Sequence, residues 1–321
     1  MIDQRLVNKR SIRSRLLSTL LRWRLKPKLT SADFDPQRFR RWLERNSAKR
    51  KPCPDVSIRA VEEGSVRGEW HLPSAAPAGQ CLLYLHGGGY VFGSPRTYRS
   101  FTTHLAKVSN CGLFSLDYRL APEAPFPAAV EDALAAYAWL LQRFPARRIM
   151  LAGDSAGGGL ALALIHALKA ADQPLPGGAM LLSPYTDLLA TGESLHSNGK
   201  NCAMFDANSI RRAAETYLAG QDGASPLASP LYGDFSGFPP VLIQVSDNEV
   251  LRDDSLRLAE RMDQAGVAVR LDIWRGQAHV WPTFHPLLPE AAASLRDLAA
   301  FANACLQGEP LKRGEQPSPH A

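Results

Sequence analysis

One serine in this chain stands on a turn of small residues, between an apolar run and a helix-like run. The stretch LAGDSAGGGLAL (151–162) places Ser155 in the pattern G-x-S-x-G. On a sharp turn from strand to helix, this spacing lifts the hydroxyl clear of a sheet, and the glycines avoid clashes with the adjoining backbone. The helix N-terminus then aims free N–H groups at the same place. Ser155 is therefore a candidate nucleophile, and a serine that merely caps a helix is the alternative.

A nucleophilic serine needs a base and a carboxylate that orients the base. On this kind of turn the partners follow in the order serine, acid, histidine. His279 lies just after the predicted strand VRLDIW (269–274), where a base should lie, and His285 is interpreted as structural. The loop after VLIQVS (241–246) offers Asp247 and Glu249 as acids. Their local surroundings in the sequence do not separate the two.

A glycine run could bind the oxyanion that forms in acyl transfer. HGGGYVFG (86–93) follows the predicted strand CLLYL, and consecutive glycines let bare N–H groups approach a ligand closely. We expect the amides of Gly87, Gly88 and Ala156 to be the donors, and His86 to hold the loop. A phosphate-binding loop is the competing interpretation, but neither GxxxxGK[ST] nor a helix-opening GxGxxG is present.

The elements that must position these residues alternate between short apolar runs and helical runs. Two alternating runs, 56–61 and 67–72, are followed by strand candidates at 81–86, 113–116, 149–153, 178–183, 241–246 and 269–274. Helices are predicted over 5–25, 36–47, 97–108, 127–143, 155–171, 207–219, 253–265 and 289–306. Continuous apolar runs suit strands that are buried on both faces. The pattern predicts an α/β fold with a mostly parallel, eight-stranded sheet.

Charge is concentrated at the N-terminus. Residues 1–52 hold 16 Lys and Arg against 4 Asp and Glu, while the chain as a whole has a net charge of +6. We interpret this arm as amphipathic helix with a solvated basic face, and binding to nucleic acid or anionic lipid is the alternative. No run of about 18 apolar residues is present, and the basic N-terminus lacks an apolar stretch followed by a small-residue cleavage site, so we expect neither a membrane span nor a secretory signal. Five scattered cysteines without metal-ligand spacing indicate a reducing compartment and no zinc site.

Several motifs together resemble the hormone-sensitive-lipase-like family of α/β hydrolases. They are HGGGY (86–90), DYRLAPE (117–123), GDSAGG (153–158) and the late HVW (279–281). The resemblance covers nearly the whole chain from about residue 54. It implies a carboxylesterase for short acyl chains, and it allows a homodimer because many members form dimers. The family's D-P-L-R-D pattern falls on residues 249–253, so the resemblance places Glu249, with Asp247 as alternative, in the position of the acid.

The resemblance also implies a domain organisation. Residues 1–52 would form a helical cap segment, 53–310 the catalytic domain with a cap insertion at about 187–235, and 311–321 a flexible tail. We expect Phe34, Phe205 and Trp281 to line the pocket under the cap, and DYRLAPE to contribute a buried polar network.

The sequence therefore predicts a serine carboxylesterase in which Ser155, His279 and Glu249 are catalytic. This chemistry needs neither a cofactor nor a metal, and the expected partner is a small ester in the cytoplasm, with no nucleic acid. Two alternatives stay open. One is a hydrolase of lactones or of small acetylated compounds. The other is a non-catalytic ligand receptor on the same scaffold, against which the presence of His279 argues.

Overall fold

A twisted sheet of nine strands organises the chain. The structure is a computed structural model that describes residues 2–47 and 49–309. The strands are β1 (Asp3–Val7), β2 (Val56–Glu63), β3 (Val66–Pro73), β4 (Cys81–Leu85), β5 (Gly112–Leu116), β6 (Ile149–Asp154), β7 (Gly178–Leu182), β8 (Val241–Ser246) and β9 (Val269–Trp274). Their order across the sheet is β1-β9-β8-β7-β6-β4-β5-β3-β2. Only the pairs β2–β3 and β3–β5 are antiparallel. The predicted, mostly parallel sheet is confirmed, with one strand more than expected.

Helices cover both faces of this sheet. They are α1 (Ile12–Arg24), α2 (Lys26–Thr30), α3 (Pro36–Ser47), α4 (Pro95–Ser109), α5 (Ala128–Leu141), α6 (Ala156–Ala170), α7 (Ser194–Ser197), α8 (Ala207–Leu218), α9 (Arg252–Gln264) and α10 (Pro289–Gln307). In β4, Leu82 and Tyr84 pack into the apolar cluster that includes α4 and α10. Leu83 and Leu85 pack into the cluster on the other face, with α5 and α6. Each central strand is thus buried on both faces, which explains its continuous apolar run.

The first strand corrects the prediction of a helix over residues 5–25. Residues Asp3–Val7 pair in parallel with β9, at the edge of the sheet. The pattern DQRLV alternates partly buried and exposed positions, as an edge strand does. The helix begins only after Ser11, whose side chain accepts a hydrogen bond from the Ser14 amide. The N-terminal segment therefore contributes to the sheet as well as to the helices above it. The predicted tail, 311–321, lies outside the described residues.

The N-terminal helices meet the long insertion between β7 and β8. Arg212 of α8 donates to the Leu29 carbonyl oxygen at 2.8 Å, and its guanidinium lies 5.5 Å from the Phe34 ring centroid. Arg40 of α3 donates to the Val91 carbonyl oxygen at 2.7 Å, beyond the C-terminal end of β4. The two Arg212 contacts thus join the N-terminal segment to the insertion, and the Arg40 contact ties the N-terminal segment to the loop after β4. Within residues 2–47 and 49–309, no helix is long and apolar enough to cross a membrane.

An ion pair fixes α4 against the antiparallel end of the sheet. Arg99 donates to both carboxylate oxygens of Glu69, at 2.5 and 2.8 Å. Burial alone would raise the pKa of Glu69, but hydrogen bonds from Arg99 and His71 outweigh it and lower the pKa to about 2. The carboxylate is thus more stable in the folded chain than in the unfolded chain, where the ordinary pKa is 4.5. This stabilisation is complete above pH 4.5 and is lost as the pH falls towards 2.

We predict that Glu69→Gln lowers the free energy of unfolding near pH 7 by about 1–2 kcal/mol, discounted because Arg99 is partly exposed. The difference from wild type should shrink as the pH falls below 4.5. Urea unfolding at a series of pH values measures it. Glu62→Gln is the matched control, because the Glu62–Arg67 pair is exposed on both sides and should contribute little. If the free energy of unfolding of Glu69→Gln stays below that of wild type by the same amount at every pH, the proposed stabilisation by the ionised Glu69 is contradicted.

Candidate active site

Ser155 lies on a strained turn at the end of β6. Its φ of 52° and ψ of −121° are unusual for a residue with a side chain. The Ser155 amide donates to the Leu182 carbonyl oxygen at 2.8 Å, and the Ser155 carbonyl oxygen accepts from the Tyr185 amide at 2.9 Å. Such a conformation costs about 1–3 kcal/mol and persists only where surrounding contacts impose it.

The glycines around Ser155 are required by close backbone contacts. A Cβ added to Gly153 would lie 2.3 Å from the Gly157 carbonyl oxygen. A Cβ added to Gly157 would lie 2.0 Å from the Leu85 carbonyl oxygen, on the neighbouring strand β4. Real Cβ atoms do not approach oxygen so closely. The G-x-S-x-G spacing therefore reflects how tightly α6 leaves the sheet between β4 and β6.

His279 and Glu249 form a buried pair. The Nδ1 atom of His279 is hydrogen-bonded to Glu249 Oε2, and both side chains are at most 2% exposed. The other Glu249 oxygen accepts from the Ser183 hydroxyl at 2.8 Å and from the Ser246 amide at 2.7 Å. Among the described residues, the buried Nε2 of His279 has no hydrogen-bond partner. The imidazole is therefore oriented at one nitrogen and free to exchange a proton at the other.

The structure distinguishes the two candidate acids. Asp247 accepts the Gly276 amide at 2.7 Å and so braces the loop that leaves β9. No hydrogen bond joins it to His279 in the described chain, whereas Glu249 contacts that histidine directly. His285, the alternative base, faces the ring of His104 with centroids 4.5 Å apart, and no hydrogen bond joins it to either acid within the described residues. Burial lowers the pKa of His285 to about 4, so it is neutral near pH 7.

A strained residue follows the histidine. Val280 has a φ of 49°, which is rare for a β-branched side chain. Its amide donates to the Ser183 hydroxyl oxygen at 3.3 Å, and the same hydroxyl donates to Glu249. Ser183 thus connects the loops that follow β7, β8 and β9. Sequence analysis missed this residue, because a single serine after a strand carries no recognisable pattern.

The glycine loop differs from the prediction in one of its expected oxyanion donors. The Gly87 amide donates to Asp154 Oδ1 at 2.8 Å, so it is not available to an oxyanion, and Gly87 does not fit the role predicted for it. The amides of Gly88, Gly89 and Ala156 donate to no group within the described ranges. Gly88 and Gly89 have φ values of 125° and 61°, which favour glycine. Gly89, which the sequence analysis did not select, also lines the cavity beside Ser155.

Asp154 joins the glycine loop to the turn that carries Ser155. Besides the Gly87 amide, its carboxylate accepts the hydroxyls of Tyr84 at 2.6 Å and Tyr98 at 2.8 Å. Burial raises the pKa of Asp154 above its ordinary value, although these three donors favour the ionised form. Burial of this carboxylate therefore costs free energy. Its hydrogen bonds fix the glycine loop and the Ser155 turn relative to each other.

His86 supports the same loop from behind. Its ring stacks on Tyr118 with centroids 4.2 Å apart, and its Nδ1 lies 2.8 Å from the Gly87 carbonyl oxygen. Burial lowers the pKa of His86 to about 4, so the ring is neutral near pH 7. In DYRLAPE the buried polar contact comes from Tyr118, which donates to the His86 carbonyl oxygen at 2.6 Å. The charged residues of this motif are exposed, which corrects the expected buried network.

A cavity of about 170 Å³ lies beside Ser155, and its walls are mainly apolar. The N-terminal segment contributes Leu29 and Phe34, and the insertion contributes Phe205 and Ile210. The ring of Phe205 also lies edge-on to His279, with centroids 5.2 Å apart, so the histidine adjoins a residue of the cavity wall. Trp281, also predicted to line it, is fully buried in a separate cluster with Trp274. No group of three or more His, Cys, Asp and Glu in the described residues is arranged to hold a metal ion.

Comparisons with known proteins identify the fold and the family. Residues 82–283 match the family described as the alpha/beta hydrolase fold. An acetyl-hydrolase of Streptomyces hygroscopicus is 45% identical over 253 residues, which cover 78% of this chain and 84% of that protein. An esterase of Acinetobacter venetianus is 38% identical over 78% of this chain and 83% of its own length. A solved esterase from the bacterial hormone-sensitive lipase family superposes with a TM-score of 0.88 at 38% identity, covering 93% of this chain and 99% of that one.

We predict that Asp154→Asn lowers kcat/KM for p-nitrophenyl acetate by about 10–100-fold, because an amide cannot accept all three hydrogen bonds and the glycine loop shifts. Tyr98→Phe is the matched control. It removes one donor and keeps the carboxylate on Gly87, so its loss should be less than about tenfold. Initial rates and thermal unfolding of the two variants measure both effects. A folded Asp154→Asn variant with the wild-type rate contradicts the bracing role.

Proposed function

The chain belongs to the hormone-sensitive-lipase-like family of α/β hydrolases and is a carboxylic ester hydrolase, and we propose that it acts on short acyl esters through a serine-bound acyl-enzyme. The buried His279 carries this proposal: Glu249 holds its Nδ1, and its Nε2 has no hydrogen-bond partner among the described residues. This gives the imidazole the arrangement that a general base needs, next to Phe205, which lines the cavity beside Ser155.

In the proposed first step, the Ser155 hydroxyl oxygen attacks the ester carbonyl carbon while its proton passes to Nε2 of His279. Glu249, already bound to Nδ1, stabilises the imidazolium that forms. The carbonyl oxygen becomes an oxyanion, and we assign its donors as the amides of Gly88, Gly89 and Ala156. Each such donor contributes about 3–4 kcal/mol to lowering the barrier. The intermediate collapses when the alcohol leaves, taking the proton from Nε2.

The second half of the reaction repeats these roles with water. His279 accepts a proton from a water molecule, whose oxygen attacks the acyl carbon attached to Ser155. The same amides stabilise the second oxyanion. Collapse releases the carboxylic acid and returns the proton to the serine oxygen. The net reaction is ester plus water to acid plus alcohol.

The size of the cavity supports a small substrate. At about 170 Å³ it is smaller than the several hundred Å³ that enclose drug-sized ligands. We propose that the N-terminal helices and the insertion at about 187–235 act together as a cap that limits the acyl chain, since Leu29, Phe34 and Phe205 line the cavity. The name of the Streptomyces relative, an acetyl-hydrolase, favours the same size of acyl group.

We propose the cytoplasm as the compartment. All five cysteines are free, and four of them are buried. Thiols in this state fit a reducing environment. The homodimer that the family resemblance allows stays a prediction.

We predict that p-nitrophenyl esters from acetate to dodecanoate are hydrolysed with a rate that falls steeply beyond about eight carbons, because longer chains exceed the capped cavity. Ser155→Ala should abolish turnover at every length, and steady-state release of p-nitrophenol measures this. Cys305→Ala is the control, because Cys305 lies on α10, outside the cavity lining. A folded protein without turnover at any length contradicts the esterase proposal and favours the lactone or receptor alternatives.

Exchanging each acid for its amide separates the two candidates. Glu249→Gln should lower kcat by about 10³–10⁴-fold, because an amide at Nδ1 neither fixes the tautomer nor stabilises the imidazolium. Asp247→Asn keeps an oxygen that can accept the Gly276 amide, and its loss should stay within about tenfold. Steady-state kinetics on p-nitrophenyl acetate measure both. Equal losses, or a larger loss for Asp247→Asn, contradict the assignment of Glu249.

A further inference from the structure

Helix α1 exposes an apolar stripe. Ile12, Leu16, Leu20 and Trp23 are 74, 65, 56 and 77% exposed. At about 100° per residue, these four positions fall within an arc of about 80° on the helix surface. Four of the nine large exposed hydrophobic side chains in the described residues therefore belong to one face of this helix. A contiguous apolar face of this kind marks an interaction site more often than scattered side chains do.

The opposite face of α1 packs against the rest of the protein. Ser14, Ser18 and Leu21 are buried there. The Ser14 hydroxyl donates to Gln277 Oε1 at 2.7 Å, and Leu21 packs in the cluster with Trp274 and Trp281. These contacts prevent α1 from rotating so as to bury its more apolar face. The prediction of a solvated basic face is therefore wrong for α1. The face of α1 that points to solvent is apolar, and the basic residues flank it.

Arginines border the stripe on both sides. Arg15 and Arg22 fall on one flank and Arg13 and Arg24 on the other, and all four are exposed. Arg22 donates to the Asn201 carbonyl oxygen at 2.8 Å. The other three guanidinium groups have no carboxylate partner within residues 2–47 and 49–309. An apolar stripe between rows of cations is the pattern of a helix that lies in the interface of an anionic bilayer.

We infer that α1 docks this chain on the surface of a membrane that contains anionic lipids. A second copy of the same face would bring arginine rows together, so charge disfavours self-pairing. Residues 310–321 contribute only Leu311 as a large apolar side chain and cannot complement the stripe. Charge complementarity and the exposed apolar stripe therefore favour an anionic lipid surface as the partner of α1. Helix α1 leads directly into α2, whose Leu29 lines the cavity, so docking would place the cap next to the lipid surface.

Vesicle flotation with the full chain tests this inference. Wild type should float with vesicles of phosphatidylcholine and about one-third phosphatidylglycerol, and much less with phosphatidylcholine alone. Leu16→Ser combined with Leu20→Ser should weaken binding by about tenfold or more, because buried apolar area is lost. Arg13→Gln combined with Arg15→Gln should weaken it in a salt-dependent way. Val108→Ser is the matched control, because Val108 is an exposed apolar side chain (40%) on α4, outside both the N-terminal segment and the insertion.

Three results would overturn the inference. The first is no binding of wild type to anionic vesicles. The second is binding that the double serine variant retains in full, which would show an attraction by charge alone. The third is self-association that the serine variant abolishes, without vesicle binding, measured by sedimentation. Circular dichroism of each variant checks folding, and the exposure of the substituted side chains leads us to expect native spectra.

Discussion

The left-handed backbone of Ser155 is the constraint on which the rest of the site depends. A φ of 52° at a residue with a side chain is maintained because β6, β7 and α6 hold the peptide from both sides. Gly153 and Gly157 allow that approach, since a Cβ at either position would collide with backbone oxygen. Once the turn is formed, the serine hydroxyl, the Ala156 amide and the start of α6 share one end of the sheet. The other groups need only be brought to that end.

Two buried carboxylates perform that positioning, each at a cost in solvation that several donors offset. Asp154 joins the glycine loop to the serine turn through Gly87, Tyr84 and Tyr98. Glu249 joins the loops after β7, β8 and β9 through Ser183, Ser246 and His279. Because each acid has partners outside its own strand and loop, neither acid can move without disturbing neighbouring elements. This is how a parallel sheet can place a proposed nucleophile, base and oxyanion site at the same end of its strands.

The features that sequence patterns predicted are those that repeat or that have strong local signatures. The apolar runs located the strands. The pattern around Ser155 marked a strained turn at the cavity, and the position of His279 marked a histidine that is paired with a buried acid. Contacts between distant residues could not be inferred. Gly87 and Gly88 are equivalent in sequence, and only the carboxylate of Asp154 shows which amide is occupied. Likewise, Asp3–Val7 is a strand because β9 offers a free edge, and α1 presents its apolar stripe outward because Ser14 and Leu21 are held below.

The most direct test of the account is to trap the acyl group during turnover. Acid quenching of the enzyme with p-nitrophenyl acetate, followed by peptide mass spectrometry, locates the acetyl group. One acetyl group is expected on Ser155, formed in a burst before steady state and absent from Ser155→Ala. In Glu249→Gln the same adduct should form much more slowly. Continuing hydrolysis with no acetyl on Ser155, or with the acetyl on another residue, would contradict the proposed mechanism.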